Sequence, residues 1–347
     1  MDEVTYIEKI EIRGLWGKYD IEWHLNSDVN ILAGINGSGK STVLNVIVEV
    51  LGLGGFLQEA HNLTSEVKVS FNDNKVLHFF APKFASNLEL DNMLDTIQKS
   101  AQKSIATEET DLVVFTVFKE KELNNNIVLK IYASERFGDI NNENVSDVIK
   151  VHKISTFEQF INVNSSHEQH HLPDKIKTNL DFQLFELQRE YLSYQINLGK
   201  RVEQVFSEST VIDVKAKREE IYGKKEFFTQ TINQFFAQTG KTITSDKNNE
   251  IVFRQDDNII TPYQLSSGEK QILLILLSVL IQDNQPYILI MDEPEISLHI
   301  DWQEHLIRVI RSLNENVQVI LATHSPALVM TGWMDKVTEM EDITKKT

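Results

Sequence analysis

The chain contains no cysteine and no apolar run long enough to span a bilayer. Without cysteine it can form neither disulfides nor thiolate-based zinc sites, and it has no thiolate nucleophile. This absence is typical of a reducing compartment, so we expect a cytoplasmic protein. The longest apolar run, residues 272–281, is shorter than the roughly 20 residues that a membrane helix needs, and the acidic N-terminus does not resemble a secretory signal. We therefore expect no membrane partner.

Basic residues are scarce as well. The 34 lysines and arginines stand against 51 acidic residues, which gives a net charge of -17. Such a balance opposes non-specific attraction to nucleic acid unless the basic side chains cluster. One such group falls in a predicted helical segment: Lys175, Lys177, Arg189, Lys200, Arg201, Lys215, Lys217 and Arg218. We favour a solvated helix face as its interpretation and keep nucleic acid as an open partner.

The pattern of apolar residues divides the chain into a β-rich part and a helical part. At 347 residues the chain exceeds the usual single core, so we expect a large α/β core with a smaller lobe. Short β patterns recur between helices in residues 1–160 and 245–347, whereas helical spacing alone dominates residues 172–240. These patterns predict a head formed by the two outer parts and an inserted helical hairpin lobe. The apolar stripe of its first helix comprises Leu184, Leu187, Tyr191, Tyr194 and Leu198. We expect this stripe to pack the hairpin on itself, with a partner-binding seam as the alternative; the two are compatible, since the hairpin is long enough to have two faces.

One histidine-rich stretch, NSSHEQHH at residues 164–171, invites a metal-site interpretation. Its histidines lack a regular ligand spacing and its neighbours are polar. We therefore predict a loop there.

The sequence GINGSGKST at residues 34–42 follows a predicted buried strand and precedes a predicted helix that begins at Lys40. Glycines at such positions let successive backbone N–H groups point at phosphate oxygens, and a helix N-terminus favours anions. Lys40 would place a positive charge near the β and γ phosphates, and the Ser41 hydroxyl would bind Mg²⁺. The predicted ATP-binding residues of this loop are Gly34, Asn36, Gly37, Ser38, Gly39, Lys40, Ser41 and Thr42.

Two further apolar strands end in residues suited to phosphate chemistry. YILIMDEPE at residues 287–295 ends in two carboxylates, of which Asp292 would hold Mg²⁺ and Glu293 would orient or deprotonate the attacking water. ILATHSP at residues 320–326 places His324 where a neutral imidazole could hydrogen-bond the γ phosphate and report its presence. We predict Glu293, His324 and Lys40 as the catalytic residues, with ATP and Mg²⁺ as cofactors.

The sequence LSSGEKQ at residues 265–271 combines a hydroxyl, a flexible backbone and a helix start. Alone it would be an ordinary helix cap, but the same elements also make an anion site. Because the chain already has a phosphate loop, a second site for the same phosphate makes sense if another copy supplies it. We therefore predict that Ser266, Gly268 and Glu269 contact nucleotide, and that ATP drives a homodimer or higher homo-oligomer.

In this order the motifs resemble those of ABC-type ATPases of the RecF/SMC/OLD-like branch, over roughly residues 6–51 and 259–325. The resemblance implies a P-loop NTPase of ABC head type, with a mixed sheet and an antiparallel β subdomain. It also implies that two heads sandwich two nucleotides, so that Ser266 and Gly268 of one subunit meet the γ phosphate held by the other. Residues 295–299 would then lie along the dimer seam.

The resemblance also implies two features whose positions are less obvious. The family expects a glutamine at the end of a core strand that senses Mg²⁺ and water, and Gln159 is the candidate metal-site residue here. An aromatic side chain before the phosphate loop often stacks on adenine, and Trp16, Tyr19 and Trp23 are the candidates.

DEPEISLH followed by ATHSPALV resembles the ATPase half of OLD-type nucleases and of antiphage ATPases of the Septu, PARIS and retron systems. The single-chain nucleases continue into a nuclease domain, whereas this chain ends 23 residues after His324. The resemblance implies a separate effector, a nuclease or toxin. The ATPase would serve that effector as an ATP-dependent sensor, scaffold or restraint. The alternative is a DNA-repair or chromosome-maintenance ATPase that clamps DNA. A transporter motor is disfavoured, because the helix after LSSGEKQ is apolar rather than arginine-rich.

Overall fold

A computed structural model describes residues 5–51, 58–72, 76–80, 118–119, 129–133, 150–154, 173, 175–208 and 214–347. Gln159 and the predicted loop at residues 164–171 lie outside these ranges. Within them, no helix has both the length and the apolar character needed to cross a membrane.

Strands and short helices alternate along most of the described chain. The strands are β1 (Ile7–Leu15), β2 (Tyr19–His24), β3 (Val29–Ala33), β4 (Glu66–Phe71), β5 (Val76–Phe80), β6 (Phe118–Lys119), β7 (Leu129–Ala133), β8 (Lys150–Ile154), β9 (Lys241–Ser245), β10 (Ile251–Gln255), β11 (Asn258–Ile260), β12 (Tyr287–Asp292), β13 (Val317–Ala322), β14 (Val337–Glu339) and β15 (Thr344–Lys346). The helices are α1 (Lys40–Val50), α2 (Gln58–Leu63), α3 (Asn179–Glu208), α4 (Val214–Phe235), α5 (Ser267–Leu280), α6 (Ile300–Leu313), α7 (Pro326–Met330) and α8 (Met340–Ile343).

A parallel sheet with the strand order β14-β3-β13-β12-β8 forms the centre of the head. Strands β12 and β13 pair in register from Tyr287 opposite Val317 to Asp292 opposite Ala322. Every residue of β13 is buried, as expected for a strand covered on both faces. Because the strands are parallel, the residues that follow β3, β12 and β13 emerge at one edge of the sheet.

An antiparallel sheet with the order β15-β2-β1-β4-β5-β7-β6 packs on the other side of α1. In β1, Ile7, Ile10 and Ile12 are fully buried, while charged residues between them face solvent. The hydrophobic cluster beneath this sheet contains Ile47 of α1 and Ile320 of β13, so one core joins both sheets. The predicted ABC head fold with its antiparallel subdomain is thus present.

The long helices α3 and α4 pack on the head. Tyr191 of α3 and Phe228 of α4 belong to the same buried cluster as Leu273 of α5, and α3 contacts α5 more extensively than it contacts α4. The two helices also contact each other, so the apolar stripe packs the hairpin both on itself and on α5. The spacing identified the buried face of each helix, but not its contact with α5, which lies far away in the sequence.

Candidate nucleotide-binding site

The loop between β3 and α1 has the backbone shape expected for a phosphate-binding loop. Gly37 and Gly39 have φ angles of 78° and 103°, in the left-handed region that side chains disfavour. Gly39 is the N-cap of α1 and supplies no side chain to cap it. The first N–H groups of α1 therefore lack the usual side-chain acceptor and can bind an anion.

Lys40 lies at the centre of this loop, with only 4% of its surface exposed. Its Nζ donates hydrogen bonds to the carbonyl oxygens of Gly34 at 2.9 Å and Ile35 at 3.2 Å. Burial lowers the pKa of Lys40, and the nearby carboxylates of Glu293 and Asp292 oppose that effect. Additional negative charge at the loop would therefore stabilise the protonated amine.

Ser38 and Ser41 supply two of the loop's three hydroxyl groups, and Thr42 carries the third. Within the described ranges, Ser38 Oγ is buried without a hydrogen-bond partner, which fits a group that waits for a phosphate oxygen. Ser41 Oγ donates to Asp292 Oδ1 at 3.0 Å. Burial raises the pKa of Asp292, and the hydrogen bond from Ser41 opposes that effect. A hydroxyl oxygen beside a desolvated carboxylate suits Mg²⁺, which completes its shell with water and phosphate.

Glu293 and His324 meet at the same edge of the sheet. Glu293 has a φ of 48°, unusual for a residue with a side chain, and its N–H donates to the carbonyl of Ala322 at 2.8 Å. Its Oε1 lies 3.7 Å from His324 Nε2. His324 Nε2 in turn lies 2.7 Å from Lys40 Nζ. The structure thus brings together the three residues predicted as catalytic, and strained backbone at such a site is typical of functional geometry.

The LSSGEKQ segment forms the start of α5. Ser266 is its N-cap, and Glu269 completes a capping box by accepting from the Ser266 N–H at 3.0 Å. Glu269 is 2% exposed and pairs with Lys241 Nζ at 2.9 Å, so its carboxylate is occupied inside the fold. In the part of the chain described, no hydrogen bond joins Ser266 or Gly268 to the phosphate loop of the same chain.

Gly268 packs directly against the segment that follows Glu293. A Cβ added to Gly268 would lie 2.1 Å from the carbonyl oxygen of Ser297. We predict that Gly268→Ala lowers stability by about 1–3 kcal/mol, since the backbone of Ser297 must move. Chemical denaturation measures this loss. Gly223→Ala in α4 is the control, because its Cβ meets nothing within 4 Å and should be neutral or stabilising. Equal stability of both variants would contradict the prediction.

A cavity of about 330 Å³ adjoins Gly37 and Ser38. Trp16 forms part of its wall at the tip of the β1–β2 hairpin, with a φ of 53° and 39% of its surface exposed. The Trp16 ring contacts Gly39 so closely that a Cβ there would lie 2.4 Å from Cη2. Tyr19 packs edge-on to Trp16 with ring centroids 6.2 Å apart.

Trp23 differs from the other two aromatic candidates. It is 1% exposed within the core of the head, so the hypothesis that it stacks on adenine was wrong. The opposite wall of the cavity was not among the predicted site residues; it is formed by Met340, Glu341, Thr344 and Lys346. That wall arises because β15 pairs with β2, and nothing in the local sequence signals this long-range pairing.

Two known proteins resemble this chain, one over most of its length and one over a short part of it. The retron Vc95 probable ATPase of Vibrio cholerae serotype O1 biovar El Tor is 21% identical over 355 residues, which covers 89% of this chain and 68% of the relative. An uncharacterised protein of Dictyostelium discoideum is 31% identical over 86 residues, 23% of this chain and 11% of its own length.

A solved structure supports the fold. The Smc head bound to the C-terminal winged-helix domain of ScpA superposes with a TM-score of 0.50 and 13% identity, covering 99% of this chain and 97% of that one. This likeness confirms the predicted ABC head fold. Residues 29–330 match the family described as AAA domain, putative AbiEii toxin, Type IV TA system. Since this match spans most of the chain, the protein belongs to that family.

Proposed function

We propose that this protein is a Mg²⁺-dependent ATPase that closes as a homodimer around nucleotide and thereby regulates a separate effector in bacterial antiphage defence. The observation that carries the proposal is the convergence of Lys40, Asp292 and His324 from the ends of three neighbouring parallel strands. The retron-associated relative supports the defence setting. We place the protein in the cytoplasm and its effector, a nuclease or toxin, on another chain.

Each residue has a distinct task in this proposal. The α1 N-terminus and Lys40 hold the phosphates, and Trp16 stacks on the adenine. Bound at Ser41 and Asp292, Mg²⁺ supplies positive charge that offsets the charge of the β and γ phosphates. Glu293 accepts a proton from the water whose oxygen bonds to the γ phosphorus while the bond to the β–γ bridging oxygen breaks. His324 hydrogen-bonds the γ phosphate.

The proposal of a homodimer rests on polar and apolar groups near this site that the chain leaves exposed. Ser266 is exposed at the N-terminus of α5, which favours an anion from outside the chain. Large apolar side chains around the phosphate loop and after Glu293 are also exposed, by 49% to 74%. They are Ile35, Ile296, Ile300, Met330 and Met334. A second subunit placed on this surface would bury them and present its Ser266 to the nucleotide.

Ser266 offers a sharp test, because the caps Ser, Asp and Asn stabilise a helix similarly. Ser266→Asp keeps an N-cap residue and places a negative charge against the γ phosphate of the partner's nucleotide. Because Ser266 Oγ also donates to the Glu269 carboxylate at 3.0 Å, chemical denaturation must first show that α5 stays folded in this variant. We expect it to abolish the ATP-dependent dimer and to lower turnover about 10²-fold, the usual cost of losing one transition-state contact. Native mass measurement with ATP and a phosphate-release assay report these effects.

Ser266→Asn is the matched control for that test, since it keeps the cap without adding charge. It should retain the dimer and turn over ATP within a few-fold of the wild type. Full turnover by a strictly monomeric protein, or normal turnover by Ser266→Asp, would refute the homodimer. Copurification with products of flanking genes tests the separate effector.

The second candidate function is a DNA-clamping ATPase, which the likeness to an Smc head keeps open. The basic residues of α3 and α4 argue against it, because many of them already have acidic partners. The pairs are Arg189–Glu186, Arg201–Asp283, Lys217–Glu220 and Arg218–Glu226. Paired charges on helix surfaces fit a solvated face and add little attraction for phosphate backbones. Salt-dependent DNA binding by the purified protein would favour the clamp.

A further inference from the structure

We propose that Glu295 is a positioning residue that holds His324 in its working orientation. This inference rests on the proposed ATPase function. Glu295 lies two residues after Glu293, on the segment that follows β12, whereas His324 follows β13. The two segments leave neighbouring strands, so a link between them controls the geometry of the catalytic edge.

Glu295 makes that link through one carboxylate oxygen. Its Oε1 accepts a hydrogen bond from Thr323 Oγ1 at 2.7 Å and another from the backbone N–H of His324 at 2.8 Å. Hydrogen bonds to a charged acceptor are shorter and stronger than those between neutral groups. Among the residues described, the other oxygen, Oε2, is buried without a partner. The carboxylate therefore fixes the main chain at Thr323 and His324.

Neighbouring polar groups hold both ends of this link. Gln303 of α6 donates from Nε2 to the carbonyl of Glu295 at 3.3 Å and accepts from Ser325 Oγ at 2.6 Å. On the other side, Gln271 of α5 donates to the carbonyl of Pro294 at 2.9 Å. The segment from Pro294 to Glu295 is thus tied to the helix that begins at the Ser266 cap.

The consequence concerns the His324 side chain, which is 34% exposed. The place that each rotamer gives to a partly exposed imidazole is set by the main chain that carries it. With the Glu295 link in place, His324 Nε2 lies 2.7 Å from Lys40 Nζ and 3.7 Å from Glu293 Oε1. Loss of the link should displace the imidazole and slow hydrolysis, while the phosphate loop that binds ATP keeps its structure.

A double-mutant cycle tests this inference. We expect Glu295→Ala to lower kcat about 10²-fold, as a misplacement of about 1 Å can do, with the KM for ATP changed less than about threefold. In a His324→Ala background the same substitution should have no further effect, because it acts through His324. Glu295→Gln should keep kcat within a few-fold of the wild type, since its amide oxygen can accept both hydrogen bonds.

Additive losses in the cycle would overturn the inference, as would a higher KM with unchanged kcat. Glu315→Gln is the control, since Glu315 is exposed before β13 at the opposite end of the sheet. If Glu295→Ala does not fold, Thr323→Val takes its place in the cycle, because it removes one of the two hydrogen-bond donors to Glu295. We expect Thr323→Val to lower kcat about tenfold, and to have no effect in the His324→Ala background.

A measurement without nucleotide separates this inference from the proposed function. The His324 imidazole resonance, identified by its loss in His324→Ala, should shift in Glu295→Ala and not in Glu315→Gln. A wild-type protein that hydrolyses no ATP would end the proposed function and leave this spectroscopic test standing. Normal hydrolysis with an unmoved imidazole resonance would end only the role of Glu295.

Discussion

Glu293→Gln is expected to reduce ATP turnover by at least about 10²-fold and to trap an ATP-loaded dimer. The amide cannot accept the proton of the attacking water, whereas its size matches that of the carboxylate. ATP binding should persist, because Lys40 and the α1 N-terminus are untouched. Native mass measurement should therefore detect two chains with bound nucleotide long after the wild type has returned to monomers. A phosphate-release assay gives the turnover.

Two matched variants sharpen this experiment. Asp292→Asn keeps the shape of the site but removes the carboxylate that Ser41 contacts, so we expect it to lose turnover without trapping the dimer. Glu315→Gln makes the same chemical change as Glu293→Gln on an exposed residue outside the site, and it should behave as the wild type. Unchanged turnover in Glu293→Gln would remove Glu293 from its proposed role.

The trapped state also bears on how effector control would work. A glutamine at position 293 must adopt the backbone that Glu293 has at a φ of 48°, held by the hydrogen bond to Ala322. Because that hydrogen bond uses the main chain, the substitution preserves it. ATP can shift the equilibrium between monomer and dimer only by binding the dimer more tightly. A dimer trapped with ATP should therefore hold the effector in its ATP-dependent state.

The sequence indicated which residues meet at this edge of the parallel sheet, because the motifs that carry them are short and contiguous. Residues 34–42, 287–295 and 320–326 each join a buried strand to a reactive end, and parallel pairing of three such strands brings those ends together. The arrangement of Lys40, Glu293 and His324 follows from that pairing.

The errors concern residues whose surroundings depend on distant parts of the chain. Trp16 and Trp23 are both aromatic and near the phosphate loop, yet Trp23 pairs with Ile10 across the sheet and faces the core. Spacing within one strand does not show which face a second layer will cover. The apolar stripe of α3 raised the same difficulty, since α5, which covers it, begins nearly 60 residues after α3 ends.

Glu269 illustrates this limit for a charged residue. In the sequence, a glutamate after Ser-Ser-Gly suggests a side chain directed at a ligand, and helix starts favour acidic residues in either case. The partner that turns it inward, Lys241, lies in β9, just after α3 and α4. Only the folded chain shows that Glu269 joins the start of α5 to β9.

We expect Lys241→Met to be among the most destabilising single substitutions, with a loss of about 3–5 kcal/mol. It leaves the Glu269 carboxylate, 2% exposed, without its cation. Hydrogen bonds from Ser266 and Thr239 remain but do not neutralise the charge. Chemical denaturation at neutral pH measures the loss. Lys217→Met is the control, because Lys217 and Glu220 form an exposed pair at 2.7 Å, and such pairs contribute about 0–1 kcal/mol.

The pH dependence of stability gives an independent check on this pair. Burial alone would raise the pKa of Glu269, but the hydrogen bonds from Lys241, Ser266 and Thr239 lower it below its ordinary value of 4.5. Because the folded-state pKa is the lower of the two, the stabilisation is complete above the ordinary pKa of 4.5. It is lost as the pH falls below 4.5 and through the folded-state pKa. In Lys241→Met the burial effect should dominate, so the pKa of Glu269 should rise and acidification toward pH 4.5 should narrow the difference from the wild type. A stability difference that stays constant from pH 7 to pH 4 would show that the Lys241 charge does not act through Glu269.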